Sequence, residues 1–298
     1  MYNSLVSDFG LSKNDILRLL AREEPNCEVN MREDIFISKF SSFPSAEINC
    51  LSWFGGSTAD TEIASSSSSL LICSKNFAEA NRSRFINTIA TDYPKFVFAL
   101  LSNLIQNESA EELKVKNMGI SNSAEISGES ILGDKVSVGP NSVLLGRVIL
   151  GDNVSIGANC VIGSPGFGFA KGPTGVYFRI PHIGGVIIGD NVEIGNNVCI
   201  DSGTFEATRI SKDVKIDNLV HVAHNVVIGE RSLITACSEI SGSVVVGNDV
   251  WIAPNVSIIQ KVVIGDGALV GIGSTVTRDV AAGLTVFGSP ARALPKKL

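Results

Sequence analysis

Aliphatic residues recur along this chain at every sixth position. From Ile120, steps of six land on Ile126, Leu132, Val138, Leu144, Leu150, Ile156 and Ile162. A second register runs Ile188, Ile194, Ile200. A third starts at Ile210 and passes through Ile216, Val222, Ile228, Ile234, Ile240, Val246, Ile252, Ile258, Ile264 and Val270 to Val276. A helix would repeat apolar residues every three or four positions and an ordinary strand every two. A six-residue period instead marks a parallel β-helix, in which short strands alternate with corners and the aliphatic column becomes a continuous internal core. Glycine often follows the aliphatic residue, as in "LGDKVS", "IGANCV" and "IGDNVE".

The register breaks twice. Residues 163–186, "GSPGFGFAKGPTGVYFRIPHIGGV", are too long and too rich in glycine and aromatics for a corner, and a four-residue shift falls between Ile200 and Ile210. An array held by nearest-neighbour contacts accepts insertions only as loops off a corner, and long ordered loops are more often functional than decorative. Both breaks closely precede "HVAHNVVIG", which carries two of the chain's three histidines, His221 and His224. Histidine is the side chain whose ordinary pKa allows proton exchange near neutrality.

Before Ile120 the pattern changes. "LSKNDILRLLARE" reads as a helix with a Ser cap, "SSSSSLLICS" as a strand and "YPKFVFALLSNLIQN" as a helix, followed by the polar stretch "ESAEELKVKN". The expected organisation is a small α/β domain over 1–112 and a β-helix over 113–298, with an inserted loop at 163–187 and a tail at 277–298. The 29 glycines and 6% aromatics suit a thin repetitive β architecture. A net charge of −6 without a Lys/Arg-rich run speaks against nucleic acid as partner. The N-terminus lacks the pattern of a signal peptide, and no window reaches the ~20 apolar residues of a spanning helix, so a soluble cytoplasmic protein is expected. The six cysteines, Cys27, Cys50, Cys73, Cys160, Cys199 and Cys237, have no C-x-x-C spacing and read as reduced, packed thiols.

The hexads resemble those of the left-handed parallel β-helix of hexapeptide-repeat transferases, which implies three hexads, eighteen residues, per coil. On that coil Val222 points inward and His224 outward. One coil later on the same face lies Gly242, and one coil earlier Glu206, provided the four-residue shift precedes it. A base, a candidate orienting carboxylate and an unencumbered main-chain N–H are the parts of an acyl-transfer site. "GFGFA", "RIPHIGGVIIGDNVEIG", "IDNLVHVAHNVVIG" and "EISGS" resemble the UDP-3-O-(3-hydroxyacyl)glucosamine N-acyltransferase family of lipid A biosynthesis. The resemblance implies a homotrimer acting on a nucleotide-linked amino sugar for lipopolysaccharide or another cell-surface glycan. It also implies His224 as general base and the Gly242 backbone as oxyanion donor, while the coil register alone offers Glu206 as candidate orienter. Acceptor binding is expected of Trp53, Phe54, Phe167, Phe169, His182, Asp217, Asn218 and Asn225.

Two positions depart from that family. Ala59 stands where its N-terminal segment carries Tyr, and Lys261 where it has a second active-site His. The C-terminal third, from "DVWIAPNVSIIQKVVIG" to "VFGSPARAL", resembles acetyl-CoA-dependent hexapeptide acetyltransferases instead. The co-substrate is thus an acyl-CoA or an acyl carrier protein, with Lys261, Arg278 and Arg292 as candidate donor-binding cations and no permanently bound cofactor or metal. A zinc anhydrase on the same fold would need three converging histidines, but His221 and His224 occupy different hexad positions. A non-catalytic sugar-binding scaffold would need neither the long aromatic loop nor a His stacked on a Gly.

Overall fold

The computed structural model describes residues 10–31, 35–40, 49–54, 70–82, 85, 87–109 and 119–294, in two compact units, Met1–Val115 and Lys116–Leu298. In the first, a five-stranded sheet is ordered Glu28–Asn30, Thr88–Ala90, Leu70–Cys73, Cys50–Phe54, Lys39–Phe40, antiparallel at the first pairing and parallel thereafter. Helix α1 (Lys13–Glu23) starts at Ser12 because the Ser12 hydroxyl and the Asp15 carboxylate reciprocally satisfy the two ends of the first turn. Helices α2 (Lys75–Ala80) and α3 (Pro94–Ser109) follow. Ile16, Leu20, Leu51, Leu70, Ile72, Ile89, Val97 and Leu101 form the core of this unit. The serine run before Leu70 and most of the polar stretch after α3 lie outside the described residues.

The second unit is the expected parallel β-helix. Its coils lay two-residue strands on three faces. Strands such as Ser137–Val138 and Lys215–Ile216 make the first face, Val143–Leu144 and His221–Val222 the second, Val148–Leu150 and Val227–Ile228 the third. Successive coils pair in parallel at a step of eighteen residues, as in Lys215↔Leu233, His221↔Glu239 and Val227↔Val245. The six-residue column is buried along nearly its whole length. A second inward column lies two residues before it, through Val154, Val192, Val198, Val214, Val220, Val226, Val244, Val250 and Val256. Each fully buried aliphatic side chain contributes about 1.5–3 kcal/mol, so the array is held by a doubled apolar seam. Serines in that second column are satisfied by a carbonyl of the following coil: Ser142 donates to Gly157 O at 2.7 Å and Ser232 to Gly247 O at 2.8 Å.

Each coil turns three corners, and most turn on one residue at positive φ: Asn141 and Asn159 between the first and second faces, Asn225, Ser243 and Lys261 between the second and third, Asn153, Asn191 and Arg231 between the third and first. Asparagine tolerates the left-handed region better than most residues. Both insertions leave from the corner between the second and third faces. The long one carries an antiparallel hairpin, Phe169–Lys171 with Tyr177–Arg179, and is tied to the short one by Ile183 N–H to Thr204 O at 2.9 Å and Gly184 N–H to Gly203 O at 2.8 Å.

Candidate active site at the interrupted corner

His224 sits at this corner one coil after the short insertion and two coils after the long one. Val222 and Val226, both fully buried, anchor the turn on either side of it, and Asn225, at φ 61°, makes the turn itself. The Asn225 amide is held in one orientation. Its Nδ2 donates to Glu206 O at 3.0 Å, while its Oδ1 accepts from Thr204 N–H and the Thr204 hydroxyl, each at 3.0 Å. A flipped amide would set an N–H against an N–H and a carbonyl against a carbonyl. With Oδ1 thus fixed, the contact at 3.1 Å to His224 Nδ1 requires that nitrogen to be the donor. The Nε2 lone pair is therefore left for an incoming proton, as a general base needs.

Gly242 stands against that nitrogen. A Cβ there would lie 2.8 Å from both Cε1 and Nε2 of His224, so no other residue fits without displacing the imidazole. The Gly242 carbonyl accepts from Lys261 N–H at 3.0 Å, whereas its own N–H has no protein acceptor among the described residues. At several positions on the other corners the equivalent N–H is capped by an Asn or Asp one coil later: Glu230 by Asn248 and Asn248 by Asp266, each at 2.8 Å, and Asn196 by Asn218 at 2.7 Å. The residue one coil after Gly242 is Gln260, and no such bond forms. An open main-chain donor beside a base suits the charge that develops on a thioester oxygen under attack.

His182 joins them from the long insertion. Its Nδ1 meets Ile180 O at 2.9 Å, so Nδ1 is the donor here too. Its ring packs edge-on against His224 with centroids 5.0 Å apart and planes at 64°. A Cβ on Gly166 would stand 2.8 Å from His224 Cβ and 2.9 Å from His182 Nε2, and one on Gly168 2.7 Å from His182 Cε1. The glycines of "GFGFA" are what let this loop close on the two imidazoles.

Other expected residues distribute differently. Glu206 reaches the site through its main-chain carbonyl, and its side chain is exposed; the orienting group on His224 is Asn225, expected instead to bind acceptor. Asp217 and Asn218 lie at the preceding corner, where Asn218 Oδ1 is engaged by Asn196, and the chain does not itself bring them to His224. Phe167 and Phe169 pack edge-to-face at 5.0 Å on the inserted loop, Phe167 being 85% exposed and free to meet a ligand. Trp53 and Phe54 are half-buried in the first unit, 6.3 Å from Phe98 and 4.7 Å from Phe77 by ring centroid. Lys261 follows on the His224 corner through its bond to Gly242, and the register sets Arg278 above Gln260 on that corner. Arg292 belongs to the terminal strand Arg292–Ala293, where its guanidinium binds Ala291 O. His221 faces outward on the second face, its Nε2 3.9 Å from the buried Asp201, which also accepts from Ser164 at 2.8 Å. Thr204 and Thr208, the latter accepting Asn225 N–H at 2.9 Å, were not expected. Their signal is the four-residue shift, whose hydroxyl-bearing residues sit one coil before the His-Asn pair.

All six cysteines are free, and burial drives the Cys73 thiol up to about 11. Among the described residues no cluster of three His, Cys, Asp or Glu side chains could hold a metal ion, and no helix is long and apolar enough to cross a membrane.

The bacterial transferase hexapeptide family (six repeats) matches residues 129–164, 207–242 and 243–278. A UDP-3-O-acylglucosamine N-acyltransferase of Campylobacter lari is 37% identical over 242 residues, 73% of this chain and 75% of the relative. The protein of the same name from Campylobacter jejuni strain RM1221 is 32% identical over 235 residues, 71% of this chain and 73% of its own. Among solved structures, a UDP-N-acetylglucosamine acyltransferase from Campylobacter jejuni aligns with a TM-score of 0.52 at 21% identity, covering 60% of this chain and 73% of that one; at that identity the likeness is one of fold.

Proposed function

This chain belongs to the UDP-3-O-acylglucosamine N-acyltransferase family, and from that premise we propose that it moves an acyl group from a thioester to the amine of a UDP-linked 3-O-acylglucosamine. It is a hexapeptide-repeat acyltransferase of nucleotide-linked amino sugars; the amine as nucleophile and the identity of the donor are our reading. The observation that carries it is the pairing of a tautomer-fixed His224 with a Gly242 N–H that is unpaired among the described residues. His224 Nε2 takes a proton from the acceptor nitrogen as that nitrogen attacks the thioester carbon. The oxygen gathering negative charge is met by the Gly242 N–H, and the proton on Nε2 passes to the departing sulfur. Asn225 keeps Nδ1 protonated throughout, so the imidazole returns to the same tautomer after each turnover.

We propose acyl-CoA or acyl carrier protein as donor, lying along the corner above Gly242 toward Lys261 and Arg278, with Arg292 near the end of the array. The working form is a soluble cytoplasmic homotrimer, because one β-helix face is too flat to enclose an acceptor and cyclic closure would set a neighbour against this corner. The deciding experiment is a donor panel with UDP-3-O-acylglucosamine as acceptor, comparing acetyl-CoA, longer acyl-CoA and 3-hydroxyacyl carrier protein. Saturable N-acylation by any of them supports the reading, and product formation from none of them refutes it. If CoA is the donor, neutralising Lys261, Arg278 and Arg292 raises its KM with kcat nearly unchanged, since these charges bind ground and transition states alike.

A further inference from the structure

An amino acceptor poses a proton problem that a hydroxyl does not. It arrives in water largely as an ammonium ion, and two protons must leave its nitrogen before an amide exists. His224 accounts for one. The site holds a second imidazole whose Nδ1 donates to a carbonyl, whose Nε2 carries a lone pair with no protein partner among the described residues, and whose ring lies 5.0 Å from His224. It is not loosely placed. Gly168 leaves no room for a Cβ because of it, Gly166 none because of it and His224 together, and the loop beneath is fastened by Ile180 N–H to Gly168 O at 2.9 Å and by Arg179 to Gly166 O at 3.3 Å. On a loop whose other large side chains are mostly exposed, this is the ring packed on the base.

We propose that His182 is the second base of the site, taking the extra proton of an ammonium acceptor and so selecting amines over hydroxyls. The inference rests on the amine-transfer reading above. The ammonium nitrogen gives one proton to His182 Nε2 and becomes a neutral amine. Its lone pair forms the C–N bond while the carbonyl pair moves to the oxygen facing Gly242. His224 Nε2 removes the second proton, the C–S bond breaks with its electron pair on sulfur, and His224 protonates the thiolate. His182 then releases its proton to water. The net change is ammonium plus thioester to amide, thiol and one proton.

The test is kcat/KM for UDP-3-O-acylglucosamine from about pH 6 to about pH 9 in the wild-type enzyme, His182→Gln and His182→Ala, each first shown to melt like wild type. We expect a loss of about a hundredfold at the acid end, shrinking toward wild type as the acceptor arrives neutral, with added imidazole restoring the acid limb of His182→Ala. A loss equal at every pH would show a packing strut, and no loss a bystander; either overturns the proposal while leaving N-acylation intact. If wild type acylates the 2-hydroxyl counterpart but no amine at any pH, the amine-transfer reading fails and takes this one with it.

Discussion

The corner between the third and first faces and the corner carrying His224 have the same backbone and opposite uses. At both, most coils turn on a positive-φ residue. At the former, side chains close a ladder: Asp152 and Asp190 cap the N–H groups below them, Asn153 donates to Asn191 and Asn191 to Asp213, and Arg231 grips Asp249 through two bonds. At the latter the column reads His224, Gly242, Gln260, Arg278 and no cap forms. The proposed chemistry falls where the ladder is left open, because an uncapped N–H adds little to stability and is available to an oxyanion.

The hardest way to break the comparison is to remove the proposed base. His224→Ala is expected to keep its melting temperature and oligomeric mass but lose a hundredfold or more in turnover, on the order of what a positioned base supplies, whereas His221→Ala, held near Asp201 instead, loses far less. Equal losses in steady-state assays of the two variants would show that the wrong imidazole has been assigned. Closing the open corner comes next. Gln260→Asn places above Gly242 the group that Asn248 places above Glu230, so kcat is expected to fall about tenfold to a hundredfold through competition for the oxyanion donor while the melting temperature rises. A fall in both would mean misfolding rather than capping. Asn225→Ala frees the His224 tautomer and is expected to cost about tenfold in kcat with KM little changed, measured by initial rates. Opening the closed corner should do least to activity: Asn248→Ala uncaps Glu230 for about 1 kcal/mol of stability by denaturant titration, with kcat unaltered.

Most of the β-helix was legible because its period is a core requirement repeated at every strand. The second inward column was harder to see, since Ser142, Ser232 and Ser238 interrupt it with hydroxyls that only the neighbouring coil's carbonyls make tolerable. Within the site, the placing of Gly242 one coil after His224 followed from the eighteen-residue coil that the resemblance to hexapeptide-repeat transferases implies. Glu206 did not. The four extra residues lift 203–207 off the regular corner, so Glu206, one coil before His224, presents its carbonyl to the Asn225 amide, and Asn225 is the group that contacts the imidazole. Spacing along the chain cannot reveal that, but a His followed directly by the residue that turns the corner is a usable sign. The approach of His182 depended on how a long loop folds back, and its trace in the sequence is the paired glycines Gly166 and Gly168, whose missing side chains make room for an imidazole arriving from the loop's far end.

The strand His221–Val222 is fourth from one end of the eight-stranded second face, with four more strands beyond it. In a linear array each coil is stabilised mainly by its immediate neighbours, so thermal fraying starts at the ends and must proceed coil by coil before it reaches the middle. Amides near Ile126 and Val276 are therefore free to exchange with solvent at a low opening cost, while those flanking His224 exchange only when several coils have melted. The site proposed for acylation thus lies in the part of the β-helix that local unfolding visits last.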